Sequence, residues 1–211
     1  RQADEMALLA WRMCVLRQAR AVNAVREYKH GTITPAWLRE LAKLSTFDEG
    51  PKLAREYLAR HGITLVIEKH FKRTFLDGAA MLDNDRPIVA LTLRHDRFDN
   101  FWFALLHELA HVAKHLTAEA PVFIDDLDRS NPQKVEAEAD AMAGEALIPE
   151  KSWRTAKVRT TLLSEDAIAF ADEIGVHPAI VAGRLRHEEK NFRLLSHLIG
   201  KTGQVSQLLD Q

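Results

Sequence analysis

The sequence predicts an α+β protein, mainly helical, with a small and mostly antiparallel sheet of three to four strands packed against one buried helix. Three observations predict this class. Segments of helical apolar spacing, punctuated by Pro and Gly, occupy both ends of the chain, and the short β-branched runs gather between residues 63 and 93. Directly after those runs comes an apolar helix that carries His107-Glu108-Leu109-Ala110-His111.

Residues 4–28 carry Met6, Leu9, Trp11, Met13, Val15, Leu16, Ala19, Val22 and Val25 at roughly helical intervals. No Gly or Pro interrupts them, so they predict one long helix. Thr34-Pro35 supplies an N-cap and a first-turn proline for a second helix through Leu41 and Leu44. Pro51 opens a third, which His61-Gly62 stops. Residues 63–67, 78–82 and 88–93 then read as strands, and the Asp83-Asn84-Asp85-Arg86-Pro87 turn pairs the last two as an antiparallel hairpin. Asp99-Asn100 is expected to cap the helix of residues 99–116, and residues 122–124 to add a short edge strand. Asn131-Pro132 opens an Ala- and Glu-rich helix that ends before Pro149. Further on, Ser164-Glu165-Asp166 is expected to cap one helix and His177-Pro178 to begin the next, about a turn at Gly175. Such a pair resembles helix-turn-helix geometry, but αα-hairpins are far more often packing units than DNA readers. The expected division is a helical connector at 1–60, a core at 61–150 and a C-terminal helical subdomain at 151–211.

In the helix of residues 99–116, spacing dictates chemistry. Residues four apart lie one above the other, so the imidazoles of His107 and His111 project from one side and can share a metal ion. Glu108 sits about 100° round the helix, placed to reach a water on that metal without being a ligand. Phe101, Ala104, Leu105, Ala110 and Val112 make the helix apolar nearly all round, so it is buried. Ionisable groups in a buried helix are costly unless paired or metal-bound.

A catalytic zinc takes three protein ligands and keeps one position for water. The HExxHxxGxxH arrangement is excluded, because Lys114 and Thr117 stand where its Gly and third His would be. His115 lies on the same helix face, but a turn rises about 5.4 Å, so three successive turns cannot converge on one ion. It reads instead as a group behind the ligands, or as a helix-end histidine. Downstream, Glu136 and Asp140 are one turn apart on a single face that Ala143 and Leu147 continue, whereas Glu138 points elsewhere. This favours Glu136 over Glu138 as third ligand, with Asp140 accepting a hydrogen bond from a ligand histidine. Solubilising an Ala-rich helix is the ordinary use of such carboxylates.

Residues 103–115, and Glu136-Ala137-Glu138-Ala139-Asp140-Ala141-Met142-Ala143 running into Ala146-Leu147-Ile148-Pro149, resemble the ImmA/IrrE family of bacterial zinc metallopeptidases. That family pairs a HExxHxxxH helix with a later Glu-x-x-Ala-Asn-x-Phe-Ala segment. Here Asp140 replaces the commoner Asn, keeping an acceptor, and Met142 the commoner Phe, keeping an apolar anchor. The resemblance covers residues 60–150. The tail around residues 176–184 and 191–195 is similar to members fused behind an Xre-type helix-turn-helix, the HigA-like antitoxin regulators. Any such module would precede Arg1, where the chain opens without Met as if cut from a longer protein. What the resemblance implies is regulatory proteolysis of a bacterial repressor or antitoxin-type protein.

The expected activity is that of a Zn²⁺-dependent endopeptidase: His107, His111 and Glu136 on the metal, and Glu108 as general base. His177 or Arg184 is the candidate donor to the oxyanion. A capping histidine and a surface arginine are the ordinary roles of those two. His₂Glu also accommodates Mn²⁺ and Co²⁺. The rival expectation is a sensor or antitoxin-like binding module that keeps the zinc site without cutting. A formal net charge of −1 offers no polyanion-binding surface, so no nucleic-acid partner is expected of this region. The single Cys14 excludes an intramolecular disulfide and a Cys-rich zinc module. With no signal peptide and no apolar run of about 20 residues, a cytoplasmic location is the default and no membrane partner is expected.

Overall fold

The computed structural model describes residues 3–22, 26–123 and 132–209. Its elements run α1 (Glu5–Ala21), α2 (Pro35–Lys43), α3 (Gly50–Arg60), β1 (Thr64–Ile67), β2 (Gly78–Asp83), β3 (Arg86–Leu91) and α4 (Phe98–Lys114). There follow β4 (Val122–Phe123), α5 (Pro132–Leu147), α6 (Glu150–Arg154), α7 (Val158–Thr161), α8 (Ser164–Ile174), α9 (Pro178–Glu188), α10 (Ser196–Ile199) and α11 (Gln204–Leu209). This is the expected α+β class.

The four strands lie in the order β1-β3-β2-β4. β2 pairs antiparallel with β3 and with β4, so the hairpin and the edge strand form as expected; β1 joins β3 in parallel. The hairpin turns where Asp83 faces Arg86, with Asn84 at φ 56°, a left-handed conformation that Asn tolerates. Alternation along each strand divides the sheet into two apolar faces. Leu65, Ala80, Val89 and Leu91 join the large core built on α4; Val66, Ala79, Met81, Ile88 and Ala90 pack under α1 with Leu8, Trp11 and Val15. The buried helix against the sheet is α4, whose Phe101, Trp102, Leu105, Leu106 and Leu109 are almost fully buried. Among the described residues, no helix is long and apolar enough to cross a membrane.

Several boundaries differ from the expected ones. The first helix ends at Ala21 rather than near residue 28. Arg86 sits at this end, donating from Nη2 to the carbonyl of Ala19 (2.6 Å), one of the helix's last acceptors, and from Nη1 to that of Val22 just beyond it (3.1 Å). Arg20 pairs with Asp83 at the same corner, so the end of α1 is tied to the hairpin. β3 runs from 86 to 91, not 88 to 93. Asp99 and Asn100 do not cap α4: Arg97 is its N-cap, and both side chains accept hydrogen bonds from the Arg97 guanidinium instead. Nor does Ser164 cap α8, whose N-cap is Leu163. The expected strand residue Ile124 and the capping Asn131 lie outside the described residues. Thr34 does cap α2, accepting from the N–H of Trp37.

Gly62 closes α3 at φ 77°, and a Cβ there would lie 2.4 Å from the backbone nitrogen of Tyr28. Gly62→Ala therefore meets both left-handed strain and an immovable neighbour. We expect it to destabilise the fold by about 2 kcal/mol or more, measured as a shift in the urea midpoint without a change in slope.

Candidate metal centre

The centre forms where α5 lies along α4. Ala139, Ala143 and Ala146 recur at helical spacing on α5 and are buried. Such small side chains let the helices approach closely, and that approach brings the carboxylates of α5 within reach of the α4 histidines. The Ala-rich composition of α5 is thus part of the site.

His107 and His111 place their Nε2 atoms 3.0 Å apart, and Glu136 Oε2 lies 3.2 Å from the first and 3.7 Å from the second. An ion held tetrahedrally by bonds of 2.0–2.1 Å separates its ligand atoms by about 3.3 Å. The triangle brackets that edge. Among the described residues, these three form the one cluster with metal-binding geometry, and Glu138 is not in it. The other Glu136 oxygen, Oε1, is buried without a hydrogen-bond partner there.

Hydrogen bonds behind the triangle prepare both imidazoles. Asp140 Oδ1 lies 2.9 Å from Nδ1 of His107; the carboxylate accepts from Nδ1–H and leaves the Nε2 lone pair facing inward. His111 is prepared through a longer chain. Glu138 Oε2 accepts from His115 Nε2–H at 3.2 Å, so His115 Nδ1 accepts from His111 Nδ1–H at 2.9 Å, and His111 Nε2 is left bare. Burial lowers the pKa of His111, outweighing the raising effect of Glu136, and so favours the neutral imidazole that binds metal. Burial works to raise the pKa of Glu136, but the nearness of His107 and His111 outweighs that and holds the carboxyl at about 2, in its anionic form. The result is two neutral nitrogens and one anionic oxygen converging on one point. This donor set fits a divalent cation, and burial makes the convergence of three lone pairs costly without one.

Glu108 is 1% exposed and points toward the sheet. A Cβ on Gly78, the first residue of β2, would lie 2.5 Å from Glu108 Oε1 and 2.8 Å from its Cγ. The glycine thus makes room for the carboxylate, a function that sequence reading missed because an isolated Gly at a strand start is commonplace. Glu108, His107, Glu136, Asp140 and Asp77 line one cavity of about 860 Å³ that continues between α4, α5 and α9.

Both expected oxyanion donors are engaged by other groups. His177 is not among the residues lining the cavity. Its Nδ1 caps α9 by accepting from the N–H of Ala179 at 3.1 Å, and its ring packs on Phe98. Arg184 does line the cavity, but its guanidinium is engaged: Nε with Glu188 (2.9 Å), Nη1 with the carbonyl of Ile148 (3.2 Å) and Nη2 with Glu150 (2.7 Å), over the ring of Trp153. It braces the cavity wall.

No curated protein matches the chain significantly. Residues 59–186, which run from the end of α3 into α9 and include the sheet, α4 and α5, match the IrrE N-terminal-like domain of the M78 peptidases. With more than half of its length inside that match, the chain belongs to the IrrE N-terminal-like peptidase family.

Proposed function

We propose that this protein is a zinc-dependent endopeptidase of the bacterial cytoplasm that acts in regulatory proteolysis, cutting a repressor of the Xre type or an antitoxin-like protein. The observation that carries the catalytic reading is the converging triangle of His107, His111 and Glu136 beside the buried carboxylate of Glu108. The regulatory substrate rests on the family resemblance of the sequence.

His107, His111 and Glu136 would hold the ion, with Asp140 and the His115–Glu138 pair orienting the imidazoles. A bound Zn²⁺ supplies Lewis acidity, bringing the pKa of a held water from 15.7 to about 7. Glu108 accepts the proton of the attacking water on its carboxylate, and later delivers it to the nitrogen of the leaving amine. Gly78 keeps that carboxylate against β2. The cavity along α4 offers room for an extended peptide on either side of the scissile bond.

Incubating the zinc-loaded protein with candidate Xre-type repressors, and reading intact masses, tests the proposal. Glu108→Gln should keep its zinc and lose cleavage by a factor on the order of 10² to 10⁴. Tight binding of the repressor that neither chelation nor this substitution alters, with no cleavage, would show a binding module instead. Asp140→Ala is expected to weaken zinc affinity about 10- to 100-fold in a competition titration, since the ring of His107 loses its orienting acceptor. Gly78→Ala should act differently: zinc content stays near stoichiometric while kcat falls about tenfold or more, because the new methyl displaces Glu108 and not the ligands.

A further inference from the structure

Away from the converging ligands, the cavity carries a charge arrangement that hydrolysis does not use. Three arginines line it: Arg97, Arg184 and Arg186. Arg97 grips Asp99 through two bonds, Nε to Oδ1 at 3.0 Å and Nη2 to Oδ2 at 3.1 Å. Arg184 is held by Glu150 and Glu188. Arg186 makes no ion pair with any described residue; its Nη2 donates to the carbonyl of Phe192, and its Nε is buried without a hydrogen-bond partner.

The packing places Arg186 near the start of α4. α9 meets α4 at Gly183, where a Cβ would lie 2.9 Å from Cβ of Asp99. Arg186 is one helical turn further along the same face. Burial, then the neighbouring Arg97, disfavours its charge, against Asp99, which favours it. A guanidinium stays ionised regardless, and the nearby Asp99 is already held bidentately by Arg97, so Arg186 has no bidentate carboxylate of its own among the described residues. From Asp99 to His107 is eight residues of one helix, about 12 Å. An extended peptide covers that distance in about three or four residues. Phe103, 42% exposed, lies on α4 between the two ends, with its ring centroid 6.1 Å from that of His107.

We propose that Arg186 sets substrate specificity by receiving a carboxylate of the bound peptide, about three or four residues from the scissile bond, with Phe103 as the apolar floor between. The carboxylate is an Asp or Glu side chain or a free C-terminus. This rests on the peptidase reading above.

The test uses degenerate peptide libraries with one fixed position, Glu or Gln, each with a free or an amidated C-terminus. The zinc-loaded protein is assayed for kcat/KM, and zinc-loaded Glu108→Gln for binding. Wild type should prefer a carboxylate about tenfold or more, the value of one buried charge-assisted hydrogen bond. Persistence of the preference in amidated peptides assigns a side chain, and its loss there assigns the C-terminus. Arg186→Gln should bring the ratio of acidic to neutral substrates close to one, whereas Arg186→Lys keeps a reduced preference; a bracing role for the Phe192 carbonyl would instead lower both substrates alike. Equal use of both libraries by wild type, or an undiminished ratio in Arg186→Gln, overturns the inference and leaves the peptidase reading intact. Selective binding of acidic peptides with no cleavage at all overturns the peptidase reading and leaves carboxylate recognition standing. Should Arg186→Gln not fold, the wild-type ratio and Arg186→Lys decide.

Discussion

Two neutral imidazoles and a carboxylate with lone pairs aimed at one another are the constraint on which the rest of this structure depends. Their mutual separations of 3.0 to 3.7 Å are those of ligands around a small cation. Holding them there requires α5 to lie close on α4, which its alanines permit. It also requires each imidazole to present Nε2, which Asp140 and the His115–Glu138 chain arrange from behind. The site is therefore a packing result as much as a chemical one: α4 is clamped between the sheet and α5, and few of its side chains in this region can turn away.

The sheet has a part in the site beyond scaffolding. β2 begins at Gly78 against Glu108, so the position of the proposed base is set by a strand backbone and not by a flexible side chain. The hairpin that carries β2 is in turn anchored to α1 through Arg86 and through Arg20 with Asp83. On the far side, α9 rests on Asp99 at Gly183 and delivers Arg184 and Arg186 to the cavity. Two glycines in different elements thus admit close approach to carboxylates of the same helix, one at each end of the cavity.

Local patterns made much of this legible. The strand runs, the Thr34 and Pro35 helix start, the Gly62 stop and the hairpin turn all depend on residues within a few positions, and each forms close to where its sequence predicts, with β3 set two residues earlier. Boundaries differ where another side chain, near or far in the chain, takes the group that would have marked them. Helix α1 stops early, at a corner where Arg86, 64 residues beyond Val22, binds the carbonyls of Ala19 and Val22. Asp99 has capping chemistry but binds Arg97, and Asp166 faces Lys157 and Thr161 rather than its own helix start. Glu138, set aside in the sequence as pointing elsewhere, completes the chain through His115. Nothing in its immediate neighbours indicates this, because His115 is 23 residues away on another helix.

By itself the sequence determined that His107 and His111 share one helix face with Glu108 beside them, and that Glu136 and Asp140 share another, since the 3.6-residue repeat is a property of the local backbone. Which faces would meet was decided by tertiary packing. The distances within the triangle, the orienting of His111 through His115 and Glu138, the space that Gly78 leaves for Glu108, the engagement of Arg184 and the lack of an ion pair for Arg186 among the described residues all belong to that level. They depend on contacts between segments far apart in the chain, whose relative placement follows from burial of the core as a whole rather than from any local preference.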